Sequence, residues 1–210
     1  YNERLLRLLA ETQIPKVFLD TSSLVSPDEL NGDLLLMESR NSVRNITAHL
    51  LEKGCTLPGF MGDIGYAQSN RERYEGFCQA LMDAGKTPNP SLCLTTPLGI
   101  DSYREEIDSF LSSLSRMPDA FVCASDYVAC ILMQLLEKRG LRVPEDVAVS
   151  GFDNNIEDLL AENLTTVQVF NEELGSRLAL QILYRIKYPH TPHEVTYLES
   201  KVLYRASTGD

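Results

Sequence analysis

Helical and strand patterns alternate along nearly the whole of this 210-residue chain, and that alternation constrains its fold more than any single motif. Apolar residues at helical spacing mark 2–12, 42–53, 69–84, 101–115, 126–139 and 171–187 as helices. In the first of these, Leu5, Leu6, Leu8 and Leu9 form the expected apolar side. Ser69 and Asp126 are the expected N-caps of their helices, and Gly54 and Gly85 supply stops. Short apolar runs at 16–19, 33–37, 57–61, 92–95, 120–124, 147–150 and 167–170 read as strands, with further β segments near 194–198 and 201–204. Strands separated by helices of ten or more residues imply an α/β fold whose parallel sheets are covered on both faces. In such folds ligands sit outside the carboxyl ends of the strands. The turns after Leu19, Met61, Thr95, Ala124 and Ser150 are therefore the expected neighbourhood of a site.

Charge narrows the function. The formal net charge is −11, and the Lys and Arg residues are scattered rather than clustered. DNA affinity comes largely from cations that neutralise phosphates, so this segment is not expected to bind nucleic acid by itself. No apolar run is long enough to span a bilayer. The five cysteines are odd in number, lack C-x-x-C spacing and sit partly in apolar runs, which fits buried free thiols in a reducing cytoplasm. The three histidines have no ligand spacing to a cysteine, so neither zinc nor another metal is expected. An enzyme is not expected either. Glu105-Glu106 and Glu172-Glu173 fall within helices as solvated faces, and no P-loop, dinucleotide fingerprint, cofactor motif or nucleophile–histidine pairing is present.

A set of motifs then carries a family resemblance. Gly140 to Asp153 reads G-L-R-V-P-E-D-V-A-V-S-G-F-D, followed by Leu164-Thr165-Thr166-Val167 and by Arg205-Ala206-Ser207-Thr208. Earlier come Pro15 to Asp20, Arg73-Tyr74-Glu75-Gly76-Phe77, and Pro118-Asp119-Ala120-Phe121 with Ser125-Asp126 and Ala129. In this order and spacing they closely resemble the sensor domains of the Lac repressor family of bacterial transcription regulators. The resemblance covers nearly the whole chain. It implies two doubly wound, periplasmic-binding-protein-like sub-domains around a ligand cleft. Residues 1–62 with 169–190 would form the first, incomplete sub-domain, and 63–168 with 195–208 the second. It also implies an N-terminal helix-turn-helix that reads operator DNA and is absent from this segment.

By the same resemblance the cleft takes a small effector, a carbohydrate, and its occupancy controls operator binding by a homodimer. Arg73, a rigid fork of donors, and Asp153, an acceptor for vicinal hydroxyls, are the leading effector-binding residues. Ser125, Asp126, Ser69 and Asp20 match further cleft positions, with helix capping the competing role for Asp126 and an Asx turn for Asp153. Val128, Ile131, Leu132 and Leu135 match a dimer-interface helix, with plain core packing as the alternative. Three positions depart from the family. Pro97 stands where an aromatic ring is frequent, leaving Tyr66 and Tyr127 as candidates for stacking on a sugar. Val169 stands where a glutamine is frequent, and Gly54-Cys55-Thr56 replaces G-H-R/K. A free-standing sugar-binding protein of a transporter shares the fold and is the main rival reading.

Overall fold

The computed structural model describes residues 2–99, 101–154 and 162–210. The elements follow the expected alternation: α1 (Glu3–Glu11), β1 (Val17–Leu19), β2 (Asp33–Met37), α2 (Arg40–Glu52), β3 (Pro58–Met61), α3 (Gln68–Asp83), β4 (Cys93–Leu94), α4 (Tyr103–Ser113), β5 (Ala120–Cys123), α5 (Asp126–Lys138), β6 (Ala148–Ser150), β7 (Thr166–Gln168), α6 (Asn171–Lys187), β8 (Val195–Leu198) and β9 (Lys201–Leu203). Two parallel sheets result. One has the order β1-β2-β8 and the other β4-β3-β5-β6, while β7 and β9 pair antiparallel. Bridges from Ser150 to Thr165 and from Asp153 to Gln168 lay the β7 segment along the exit of β6.

Both sheets are covered on two faces, and the strand period of two shows why. In β5, Phe121 and Cys123 enter the core shared with α4 and α5, whereas Ala120 and Val122 enter the core shared with α2 and α3. In β2, Leu34 and Leu36 meet Leu6 of α1, while Leu35 and Met37 meet Leu174 of α6. Burying each such Leu or Phe contributes about 1.5–3 kcal/mol. The wide apolar side expected for α1 is not buried: only Leu6 is covered, and Leu5, Leu8 and Leu9 stay exposed. Cys123 and Cys130 are buried, and Cys55, Cys78 and Cys93 partly so.

The expected division of the chain needs correction at two points. The 1–62 boundary puts β3 with the first sub-domain, yet β3 pairs with β4 and β5 in the second sheet, and α2 packs with α3 beneath it. The first crossing therefore lies between Met37 and Arg40. Strand β8 was placed with the second sub-domain, yet Val195–Leu198 pairs in register with Leu34–Met37 of the first. The last crossing lies between Leu198 and Lys201. A buried ion pair fixes this arrangement: Arg185 of α6 forks onto Asp33 at the start of β2 and also donates to Thr191 and Pro192 carbonyls, while Glu194 N donates to Asp33 Oδ1 at 2.9 Å.

Candidate functional site

Strand exits and the start of α3 converge between the two sheets. Asp20 follows β1 in a left-handed conformation, at φ 57°. Its Oδ2 accepts from Ser69 Oγ at 2.5 Å, and its Oδ1 accepts from Ser69 N at 3.3 Å and Thr21 N at 2.7 Å. Ser69 is thus not the N-cap of α3. The cap position is Ala67, which has no side-chain acceptor, and a carboxylate from the other sub-domain serves the open helix terminus instead. Three further bonds cross at the same place: Gln68 N donates to Thr21 O at 2.8 Å, Arg71 Nη2 to Ser23 Oγ at 3.3 Å, and Tyr197 OH to Glu72 Oε1 at 2.8 Å.

One turn into α3, Arg73 is buried rather than lying on the surface. Its Nη1 donates to Ala124 O at the exit of β5 and, at 3.4 Å, to Asn70 Oδ1. The guanidinium lies 3.6 Å over the Phe152 ring, and Nη2 stands 3.6 Å from Asp153 Oδ1. Nε has no hydrogen-bond partner among the described residues. Burial pulls the Arg73 pKa below its ordinary value, against the nearby carboxylates of Asp153, Asp20, Asp126 and Glu72. Burial raises the Asp153 pKa above the usual carboxylate value, against the pull of Arg73. Asp153 and Asn154 both have positive φ, at 106° and 52°, a costly backbone for two successive residues with side chains. Beside them opens a cavity of about 380 Å³ lined by Asp153, Asn154, Gln168, Val169 and Asn171.

The structure therefore brings Arg73, Asp153, Asp20 and Ser69 to one place, with the Asp126 carboxylate near enough to act on the Arg73 charge. Ser125 is the N-cap of α5, its side chain accepting from Val128 N. Asp126, expected as that cap, is the first helical residue. It is buried and accepts from Thr166 Oγ1 of β7 at 2.6 Å. Val128, Ile131, Leu132 and Leu135 are buried in the chain's own core with Phe121, Val147 and Val149, and Ile131 also lines the groove between α4 and α5. Tyr127 packs edge-on against Tyr103 at 5.5 Å in a groove between α4 and α5 that also contains Arg104 and Gln134, away from the Arg73–Asp153 face. Tyr66 is exposed. The Cys55-Thr56 departure has a local role, since Cys55 Sγ, Thr56 N, Thr56 Oγ1 and Leu57 N all donate to Asp119. Sequence reasoning missed Phe152, Glu72, Tyr197, Asn154 and Gln168. The first of these sat inside a quoted motif, next to Asp153.

A family model described as a periplasmic binding protein-like domain matches residues 47–208. The chain belongs to this family. Its relatives place it in the Lac repressor branch, as an effector-binding domain. The HTH-type transcriptional repressor PurR of Aliivibrio fischeri (strain MJ11) is 30% identical over 209 residues, 98% of this chain and 61% of the relative. The chain thus spans about three fifths of the length of the curated relatives it matches. Among solved structures, a LacI-family transcriptional regulator from Sanguibacter keddieii is 26% identical with a TM-score of 0.80, over 96% of this chain and 75% of that one. A LacI-family regulator from Enterococcus faecium with bound ribose shares the fold at 23% identity and a TM-score of 0.74, over 96% and 82% of the two chains. No helix among the described residues is long and apolar enough to cross a membrane.

Proposed function

We propose that this Lac repressor-type domain senses a small, neutral, polyhydroxylated effector, a carbohydrate, and that in the whole protein its occupancy controls operator binding by a homodimer through an N-terminal helix-turn-helix. The observation that carries this reading is Arg73. It is a buried cation with an unpartnered Nε, an ion pair stretched to 3.6 Å, and a partner carboxylate that is 43% exposed. A cation kept only for structure would be expected to have its donors satisfied. A guanidinium fork between the carboxylates of Asp153 and Asp20, with Ser69 and Ser125 at hand, offers donors and acceptors together, which suits vicinal hydroxyls. An anionic effector would face Asp20, Asp153 and Glu72, which favours a neutral one. The ribose-bound relative supports the same class.

Thermal unfolding with a panel of mono- and disaccharides, repeated on Arg73→Ala, tests the proposal. A sugar that binds only the folded state, at about 100 times its Kd, adds roughly 2.7 kcal/mol. For a chain of this size that is a rise of about 5–11 °C. A rise with one sugar, lost in the variant, supports the reading. A rise of the same size in Arg73→Ala rejects the cleft, and no rise with any sugar rejects the effector class.

A further inference from the structure

The left-handed Asp153-Asn154 pair is held from outside the cleft, and the holding residue comes from the far end of the chain. Asn154 is tied at three atoms. Its N donates to Thr166 Oγ1 at 3.2 Å, its Nδ2 donates to Gln168 Oε1 at 2.5 Å, and its Oδ1 accepts from Arg205 Nη2 at 2.8 Å. Arg205 in turn is fixed. Its Nη1 donates to Leu164 O at 3.0 Å, its backbone N donates to Thr165 Oγ1 at 2.7 Å, and the following Ser207 joins Thr165 N to Val149 O at 2.8 and 2.6 Å. The closing R-x-S-T motif therefore stitches the L-T-T-V strand to β6 and extends one guanidinium arm to Asn154. Neither Arg205 nor Leu164 lines the cavity beside Asp153.

We propose that Arg205 is a positioning residue for the effector cleft: it clamps Asn154 so that the adjoining Asp153 carboxylate is presented beside Arg73. The role of Asp153 toward the effector rests on the function proposed above, but the clamp itself does not. Two successive residues with side chains do not keep positive φ unless their surroundings impose it. Arg205 suits the task because its planar fork reaches Leu164 O and Asn154 Oδ1 together, whereas a lysine ammonium has no such fixed pair of donors.

The test follows the Asp153 carboxyl by ¹³C NMR across a pH titration of aspartate-labelled protein, with Asp153→Asn to assign its signal. The variants are Arg205→Lys, Asn154→Gly and the pair combined. Two opposed influences act on the Asp153 pKa: partial burial, which raises it, and the Arg73 guanidinium 3.6 Å away, which lowers it. Arg205→Lys is expected to move its midpoint, because a loosened turn changes both the burial of Asp153 and its distance from Arg73. Asn154→Gly is expected to do the same without touching the R-x-S-T motif, and the double variant should go no further than either single one. If the Asp153 titration is unchanged in Arg205→Lys and Asn154→Gly, or if the two effects simply add, the positioning role is wrong, whatever happens to the melting temperature. The readout needs no effector. A sugar panel without a hit, alongside a shifted Asp153, would therefore overturn the effector reading and leave the clamp standing.

Discussion

Arg73 and Arg185 are both buried, at 8% and 3% exposure, yet they are partnered so differently that the same substitution should separate their roles. Arg185 donates through Nε to Asp33 Oδ2 at 3.0 Å, through Nη2 to Asp33 Oδ1 and to Pro192 O at 3.0 Å, and through Nη1 to Thr191 O at 2.6 Å. Arg185→Met leaves Asp33 buried without its cation, which costs about 3–5 kcal/mol. At 2–4 °C per kcal/mol the melting temperature should fall by roughly 6–20 °C. Arg73→Met loses a charged hydrogen bond to Ala124 O, about 1.5–3 kcal/mol, and the contact with Phe152, about 0.5–2 kcal/mol. It also removes an orphaned Nε that costs about 1–3 kcal/mol and relieves the desolvation of a buried charge. Asp153, half exposed, can be solvated by water once alone. The terms nearly cancel, so Arg73→Met should melt within about 5 °C of wild type, a net change of roughly 1–2 kcal/mol. Calorimetry on both variants, with and without the sugar panel, is the assay. If Arg73→Met unfolds as early as Arg185→Met, Arg73 is a structural strut and the cleft loses its central residue.

Other consequences follow from single contacts. Hydrogen bonds and the charge of Arg185 hold the Asp33 pKa below its ordinary value despite burial, which acts the other way. Its contribution is therefore present above the unfolded value and lost as pH falls through the folded one. The melting-temperature gap between wild type and Asp33→Asn should stay constant above about pH 5 and shrink below about pH 4; a gap that widens on acidification contradicts the pairing. A Cβ on Gly76 would overlap the Arg40 carbonyl of α2, so Gly76→Ala should force α2 and α3 apart at a cost of about 1–3 kcal/mol, read by urea unfolding. Tyr197→Phe removes one of the two side-chain donors to the buried Glu72 carboxylate and should cost about 1.5–3 kcal/mol. Because that bond joins the sub-domains, small-angle scattering should also show a larger radius of gyration; an unchanged radius would mean that the other crossing bonds suffice.

The order of elements was legible because each is locally consistent. The four residues of β5 are all buried, and α5 is apolar over most of its surface. That same apolarity hides which face of α5 meets what, and all four residues matched to a dimer-interface helix pack into the chain's own core. Sub-domain membership was not legible, because it is decided by pairings such as Leu34 with Val195, which no local pattern encodes. The helix starts failed for a related reason. A serine or aspartate near a helix start signals a cap, but whether its oxygen faces the open N–H groups or another partner is a tertiary matter. Ser69 gives its hydroxyl to Asp20, and Asp126 takes one from Thr166. Arg73 and Asp153 were legible as a pair only through motifs far apart in the chain.

Helix α3 connects the proposed effector cleft to the contacts between the sub-domains. Gln68, Ser69, Arg71 and Glu72 bond to the first sub-domain, at Thr21, Asp20, Ser23 and Tyr197, and Arg73, the next residue, bonds to the second, at Ala124 and Asp153. At 1.5 Å rise per residue the stretch from Gln68 to Arg73 spans about 8 Å of one rigid helix. The left-handed backbone at Asp20 costs about 1–3 kcal/mol, and three hydrogen bonds to its carboxylate hold it there. On the proposed reading an effector needs Arg73 and Asp20 at once, and Asp20 is in place only while it is bonded to Ser69. Effector occupancy and the bonds between the sub-domains then belong to one equilibrium: a molecule that binds the bonded arrangement better shifts the population toward it by that difference in affinity. Arg73→Ala and Tyr197→Phe should consequently weaken the response to one sugar by different routes, the first by removing a contact to it and the second by lowering the share of chains ready to bind it.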